Sequence, residues 1–115
     1  METMKPDAAP RVAVPDLLRE HLPRAHVRGW TLLLVWAPWS APSRQLRQDL
    51  VTAVLPPRLR VLSVLVEDAV PIVTALAITS VPYLVLLHAG TEVARHPGYT
   101  PLSDLLDWVQ AQRTG

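Results

Sequence analysis

Two stretches of this chain are almost continuously apolar, which is the pattern of strands covered on both faces of a sheet. Residues 30–36 read WTLLLVW, directly after Gly29, and residues 61–66 read VLSVLV. Such a strand shows no alternation of polar and apolar positions because helices cover both of its faces. We therefore predict buried strands over 30–36 and 61–66, the first of them in the middle of the sheet.

Four other segments place apolar residues at the spacing of a helix. The first, over 15–22, lies between two prolines that suit a first turn and a stop. A short helix is predicted over 72–77, and the last helix begins near Pro101. The apolar stripe of that last helix comprises Leu102, Leu105, Leu106, Trp108 and Val109.

The remaining helix, second in chain order, follows a turn bracketed by Pro38 and Pro42. It must end before Pro56, because proline has no N–H to donate inside a helix. Its predicted apolar stripe comprises Leu46, Leu50, Val51 and Val54.

A hairpin is predicted towards the end of the chain. Residues 83–87 have the composition of a strand, Ala89 and Gly90 form a tight turn, and residues 91–96 are the antiparallel partner. Strands alternate with helices before this hairpin, and one helix follows it. This order predicts an α/β fold, with helices on both faces of a central mixed sheet of four to five strands.

Length and charge narrow the picture further. A chain of 115 residues suits one domain, so we assign 1–12 to a flexible tail and 13–115 to a single domain. The formal net charge of +1 gives no overall field that would draw the chain to nucleic acid or to an anionic membrane. Since the first ten residues lack the apolar run of a secretory signal, a cytoplasmic location is expected.

Arginine supplies nearly all of the positive charge. Four arginines lie on or just after the second helix, namely Arg44, Arg47, Arg58 and Arg60. They indicate either an ordinary solvated helix face or a rim that favours acidic partners.

The turn at 36–43 carries the most specific motif. Its sequence, WAPWSAPS, resembles the redox-active loop W-A-x-W-C-x-P-C of thioredoxins, with Ser40 and Ser43 in place of both cysteines. Val81-Pro82 resembles the cis-proline dipeptide that faces this loop, and Gly90 and Gly98 match the family's later glycines. The chain is therefore identified as a member of the thioredoxin-like superfamily over about residues 15–112.

The same comparison shows what the chain has lost. Thiol–disulfide exchange needs a thiolate, and the chain contains no cysteine, so it has no thiol–disulfide oxidoreductase activity as written. The family's buried aspartate would fall at Leu34, its accompanying lysine near Ser63, and the threonine after its cis-proline at Tyr83.

What the resemblance still implies is a surface for an extended peptide, by pairing with its backbone beside the loop. The residues that the resemblance assigns to peptide binding are Trp39, Ala41, Pro42, Val81, Pro82 and Gly98. Trp39 has the alternative of lying half-buried on its own helix. The resemblance implies no cofactor and no metal, and the four histidines lack the spacing of metal ligands.

The two serines also suit an ordinary helix start, in which Ser40 caps the helix and Ser43 bonds within the first turn. A nucleophilic Ser40 is disfavoured, because it needs an adjacent general base and the histidines lie in segments that should not converge on the loop. Three functions stay open: a redox-inactive module that binds protein or peptide, a Cys-to-Ser form of an active oxidoreductase, and a structural or dimerising subunit. The sequence leaves the oligomeric state and the partner unknown.

Overall fold

The computed structural model describes residues 29–114, so the predicted tail over 1–12 and the helix over 15–22 lie outside the described residues. Residues 29–114 contain four strands and three α-helices, which alternate except that the third strand is followed directly by the fourth. The strands are β1 (Trp30–Trp36), β2 (Leu59–Leu65), β3 (Tyr83–His88) and β4 (Thr91–Pro97). The helices are α1 (Ala41–Thr52), α2 (Val70–Ala75) and α3 (Leu102–Thr114).

The strands form one mixed sheet in the order β2-β1-β3-β4. β1 pairs in parallel with β2 and antiparallel with β3, so it lies inside the sheet as its apolar run predicts. β3 and β4 form the predicted hairpin, with an irregularity in register between Leu86 and Leu87. The predicted α/β class with a mixed sheet is confirmed, with four strands among residues 29–114.

Helices cover both faces of the sheet, as predicted. The alternating residues of β1 divide between two apolar clusters: Leu32 and Leu34 face one, and Leu33 and Val35 the other. The first cluster contains Leu46 and Leu50 of α1 together with Leu105 and Val109 of α3. The second contains Ile72 of α2. This arrangement places α1 and α3 on one face and α2 on the other.

The predicted second strand differs from the observed one in place and in burial. β2 begins two positions earlier than predicted and ends at Leu65, and Val66 opens a 3-10 helix, Val66–Asp68. Most of β2 is half-buried, whereas β1 is buried at five successive positions. The prediction of a fully buried strand is wrong because β2 pairs only with β1 among the described strands and so lies at the edge of that sheet.

The predicted stripe of α1 is correct for two of its four residues. Leu46 and Leu50 are buried, but Val51 and Val54 are 64% and 93% exposed. Val51 is about 100° around the helix from Leu50, which turns it towards solvent. Val54 lies beyond the helix, because Ala53 has extended backbone angles and ends α1 ahead of the proline stop.

The other helices follow the predictions more closely. α2 lies two residues earlier than predicted, and the positive φ of Ala77 places that residue in the left-handed region. In α3, Leu105 and Val109 of the predicted stripe are buried, while its remaining members are partly buried. Within residues 29–114, no helix has the length and apolar character that a membrane crossing requires.

Candidate functional site

The loop after β1 is built as a helix start. Ser40 is the N-cap of α1: its backbone is extended, with φ −104° and ψ 112°, and its Oγ accepts a hydrogen bond from the N–H of Ser43 at 3.3 Å. Ala41 and Pro42 occupy the first two helical positions, where proline loses no helical hydrogen bond. The cap that the sequence predicts for Ser40 is therefore present.

Further hydrogen bonds fix the loop in front of the helix. The N–H of Ser40 donates to the carbonyl of Ala37 at 3.1 Å, and the N–H of Arg44 donates to the carbonyl of Ser40 at 3.0 Å. The guanidinium of Arg44 reaches back to the carbonyl of Pro38 at 2.6 Å. These bonds hold Trp39, whose chain neighbours Pro38 and Ser40 both have bonded carbonyls, in a defined position.

Ser43 has a different environment from Ser40. Its side chain is completely buried, and its Oγ has no hydrogen-bond partner in the part of the chain that the structure describes. A buried hydroxyl without a partner costs about 1–3 kcal/mol relative to one that is hydrogen-bonded. The interior position of the motif is therefore poorly matched to a hydroxyl group.

An apolar depression lies beside the loop, and we call it the loop groove. It has a volume of about 190 Å³ and is lined by Trp39, Val66, Ile78, Thr79, Ser80 and Val81. Trp39 is 73% exposed, so it does not lie half-buried on its own helix. Residues far apart in sequence, Trp39 and Val81, thus form opposite parts of one surface.

Part of the backbone that lines the loop groove has no hydrogen-bond partner among the described residues. Among residues 29–114, the N–H and C=O groups of Thr79, Ser80 and Val81 take part in no hydrogen bond. The Val81–Pro82 peptide bond is cis. Next to it, the N–H of Gly98 donates to the carbonyl of Pro82 at 2.9 Å, which brings the loop before α3 against this segment.

The structure thus brings most of the predicted peptide-binding residues to one end of the sheet. Trp39 and Val81 line the loop groove, Gly98 contacts Pro82, and Ala41 and Pro42 are exposed at the start of α1. Sequence reasoning missed Val66 and Ile78. Val66 was placed inside a strand, and Ile78 follows the predicted short helix, so neither carried a local signal of a site.

Two interior positions at which the family resemblance places ionisable residues carry none. Leu34 is fully buried, and its partner in the parallel register is Ser63 of β2. Neither side chain ionises near neutral pH. The two positions where the family resemblance places an aspartate and a lysine are therefore neighbours here, and both are uncharged.

Other chemistries find no support among the described residues. Neither of the described histidines, His88 and His96, is hydrogen-bonded to Ser40 or Ser43, and His88 instead stacks on Trp30 at 4.3 Å, at the opposite end of β1 from the loop. Within residues 29–114, no three metal-ligating side chains form a cluster. The described part of the chain therefore assembles no serine nucleophile with a histidine base.

The arginines do not behave as one group. Arg44 is tied to the loop, whereas Arg47 is half-buried, with its guanidinium carbon 4.6 Å from the centre of the Trp36 ring. Arg58 and Arg60 are exposed. Arg47 fits neither prediction made for the four arginines, a solvated helix face or a rim for acidic partners, because its side chain packs on an aromatic ring.

The β4 edge of the sheet carries an ion pair. The guanidinium of Arg95 donates to the carboxylate of Glu92 and, at 3.4 Å, to the hydroxyl of Tyr83. The hydrogen bond that Arg95 donates to Glu92 holds the pKa of Arg95 above its ordinary value. Charged side chains on an edge strand disfavour pairing with another sheet, so this edge is poorly suited to dimerisation.

Solved structures of known proteins share the fold of this chain. A mutant thioredoxin from Halobacterium salinarum NRC-1 matches with a TM-score of 0.68 at 22% identity, covering 76% of this chain and 78% of that one. Oxidised mitochondrial thioredoxin 3 from Saccharomyces cerevisiae matches with a TM-score of 0.62 at 20% identity, covering 73% and 79%. The chain has a thioredoxin-like fold.

Identities this low establish the fold and leave the activity open. A structure described only as a malarial protein also matches, with a TM-score of 0.63 at 18% identity, covering 74% of this chain and 98% of that one. No protein-family model matches the sequence, and no curated protein matches it. This is therefore a thioredoxin-like fold without a cysteine.

Proposed function

We propose that this chain is a redox-inactive module that binds an extended polypeptide segment in the loop groove. One observation carries the proposal: the exposed ring of Trp39 faces a segment, 79–81, whose backbone groups are unpaired among the described residues. Because the chain has no cysteine, binding here does not depend on a mixed disulfide. The partner is a protein or peptide, and the expected cytoplasmic location stays a prediction.

The groups of the loop groove suit strand addition. An extended peptide can exchange backbone hydrogen bonds with Val81, which supplies affinity without demanding one particular sequence. Trp39 offers a large, rigid contact area, and tryptophan is enriched among the residues that dominate binding energy. Val66 and Ile78 add apolar contacts. We therefore expect a preference for extended segments with apolar side chains on one face.

The proposal is tested by titrating the chain with a short synthetic peptide of alternating valine and threonine and following backbone amide shifts. The matched peptide carries N-methyl groups at its central residues, which removes backbone donors and keeps the side chains. Shifts confined to the loop groove, and weakened by N-methylation, are the expected result. Equal binding of both peptides would argue against strand addition, and absence of binding would argue against the site.

A pair of variants separates Trp39 from general stickiness. Trp39→Ala is expected to lower the affinity for the peptide about tenfold or more, since residues of this kind contribute about 2 kcal/mol or more to binding at an interface. Val51→Ala is the control, because Val51 is also an exposed apolar residue of α1 but lies at its other end. A similar loss in both variants would contradict a defined groove.

A second candidate is favoured by one observation, the buried Oγ of Ser43, which lacks a hydrogen-bond partner within residues 29–114. A thiol is a weaker hydrogen-bonding group than a hydroxyl, so a cysteine would suit this position better. We infer the alternative that the chain is a Cys-to-Ser form of a thioredoxin-type oxidoreductase. Reading codons 40 and 43 in the native gene decides whether the serines are encoded.

The loop geometry can be tested independently of the gene. The double variant Ser40→Cys, Ser43→Cys is expected to form a disulfide that dithiothreitol reduces, if the loop has kept the geometry of an active site. Failure to form it would indicate long divergence and would favour the binding module. The unaltered chain should show no turnover above blank in an insulin-reduction assay, and turnover would overturn the redox-inactive proposal.

A further inference from the structure

A second depression, which we call the strand-end pocket, is lined by residues of β1, α1, β2, α2 and the β2–α2 connection. Its volume is about 360 Å³, and its lining includes Trp36, Arg47, Ser63, Asp68 and Ile72. None of its lining residues lines the loop groove. The pocket is thus a separate feature, and the peptide-binding proposal makes no use of it.

The position of the strand-end pocket follows from the topology. Trp36 ends β1 and Leu65 ends β2, the two parallel neighbours of the sheet, and both residues line the pocket. The chain then leaves β1 for α1 on one face and β2 for α2 on the other. Parallel strands whose connections diverge in this way leave a crevice at their carboxyl ends, where ligands of open α/β sheets bind.

Arg47 gives this crevice a specific chemistry. Its guanidinium stacks on Trp36 at 4.6 Å, which holds the planar group in place. Its Nε is buried and, in the described part of the chain, has no hydrogen-bond partner. Leaving a buried charged donor unpaired is costly, so a ligand that accepts from Nε gains an interaction for which the protein offers no substitute.

The other walls limit what that ligand can be. A carboxylate matches the planar donors of a guanidinium side by side, and Ser63 adds a hydroxyl. Ile72 and the free part of Trp36 offer apolar contact for a compact body. Asp68 also lines the pocket, and its charge repels a dianion about twice as strongly as a monoanion, which favours a ligand with a single negative charge. We propose that the strand-end pocket binds a small organic monocarboxylate through Arg47.

The test uses 4-methylpentanoate as the probe, its neutral amide as the uncharged match, and inorganic phosphate as the dianionic competitor. Binding is followed by the ¹H–¹⁵N resonance of Arg47 Nε and the indole resonance of Trp36. The expected result is a saturable shift of both resonances with the carboxylate, with Kd on the order of 1 mM for so small a ligand. The amide and phosphate should produce no shift.

Three variants decide whether Arg47 is responsible. Arg47→Gln should lower the affinity for the carboxylate about tenfold or more, which is the usual effect of losing a hydrogen bond from a charged group. Arg60→Gln removes the same charge from an exposed position on β2 and should change the affinity less than about twofold, as expected for a screened surface charge. Ser63→Leu fills the pocket and keeps Arg47, so it too should abolish the shifts.

Each outcome bears on the proposal. Loss of binding in Arg47→Gln and Ser63→Leu, with retention in Arg60→Gln and dispersed amide spectra in all three, supports it. Equal effects of the two arginine variants would show nonspecific attraction and overturn it. Binding of phosphate or of the amide at the same affinity, or no shift with any probe, would overturn it as well.

Discussion

The outer and inner sides of the start of α1 differ in the groups they present and in their exposure to solvent. On the outside, Ser40 caps the helix and Trp39 stands 73% exposed beside a groove with unpaired backbone. On the inside, the hydroxyl of Ser43 has no hydrogen-bond partner among the described residues, and Leu34 is fully buried where the family resemblance places an aspartate. The outside thus presents an exposed ring and backbone groups, whereas positions 34 and 43 on the inside carry no group that ionises near neutral pH.

This difference follows from what each side requires. Strand addition uses main-chain groups and apolar area, which every sequence with this backbone retains. Thiol exchange requires a thiolate and a route for its proton, which only particular side chains supply. Substitution of a few residues therefore removes what thiol exchange requires and leaves what strand addition requires.

The largest effect is expected on the inside, from Leu34→Asp. Leu34 is fully buried in an apolar cluster, so an ionised carboxylate there has no partner and should cost about 3–5 kcal/mol of unfolding free energy at neutral pH. Burial raises the pKa of such a carboxyl above its unfolded value of about 3.9. The penalty should therefore be smallest below about pH 4 and grow as the pH rises through the folded-state pKa.

Urea titrations at acid and neutral pH measure this effect. Leu34→Asn is the matched control, because it has the same shape without an ionisable group and should lose similar stability at both pH values. If the aspartate variant showed no dependence on pH beyond that of the asparagine variant, then the interior below the loop would be open to water or contain a partner for the charge.

The sequence predicts the fold where local patterns decide it. The sequence places the run at β1 and the turn of Ala89 and Gly90 correctly, because burial on both faces favours a continuous apolar run and the positive φ of Gly90 favours glycine. Val54 was misplaced because its helical spacing continued beyond Ala53, where the backbone becomes extended. Where no glycine or proline directly follows a helix, the pattern of apolar residues alone does not show where the helix ends.

The site was predictable only as far as the motif extends. The resemblance assigns Trp39 and Val81 to peptide binding and both line the loop groove, whereas Val66 and Ile78, which carry no such assignment, line it through contacts between distant segments. Arg47 is a similar case. Its position on the Trp36 ring depends on how α1 packs against the end of β1, which no local spacing reveals.

A smaller effect is expected on the outside, from Gly98→Ala. Gly98 has φ +85°, and a Cβ there would meet no atom within 4 Å, so only backbone strain opposes the change. A left-handed conformation costs a residue with a Cβ about 1–2 kcal/mol, and the variant should lose about that much stability. Since the N–H of Gly98 bonds to the carbonyl of Pro82, the variant should also lower the affinity of the loop groove for the peptide.

Gly29→Ala is the control for that prediction. Gly29 has φ +65° and similarly open surroundings, but it precedes β1 at the opposite end of the sheet. It should lose comparable stability in a urea titration and leave peptide affinity unchanged. Equal peptide binding by both variants would mean that the loop of Gly98 takes no part in the groove.

The cap of α1 provides the next test. Ser40→Ala removes the acceptor for the N–H of Ser43 and should destabilise the chain by about 1 kcal/mol. For a domain of this size, that corresponds to a fall in Tm of about 4–8 °C. Ser40→Asp keeps an acceptor and adds a negative charge at the helix N-terminus, so it should preserve or raise the Tm. A fall with Ser40→Asp equal to that with Ser40→Ala would show that the cap contributes little.

The smallest effect has the opposite sign and distinguishes the two serines most directly. Ser43→Ala removes a buried hydroxyl that has no partner among the described residues, and alanine favours the helix, so stability should rise by about 0.5–1 kcal/mol. Ser43→Cys should also be tolerated, because a thiol loses less by lacking a partner. Thermal unfolding of both variants beside Ser40→Ala measures the contrast. A loss of stability in Ser43→Ala would show that this hydroxyl is satisfied, and that the interior of the motif is adapted to serine.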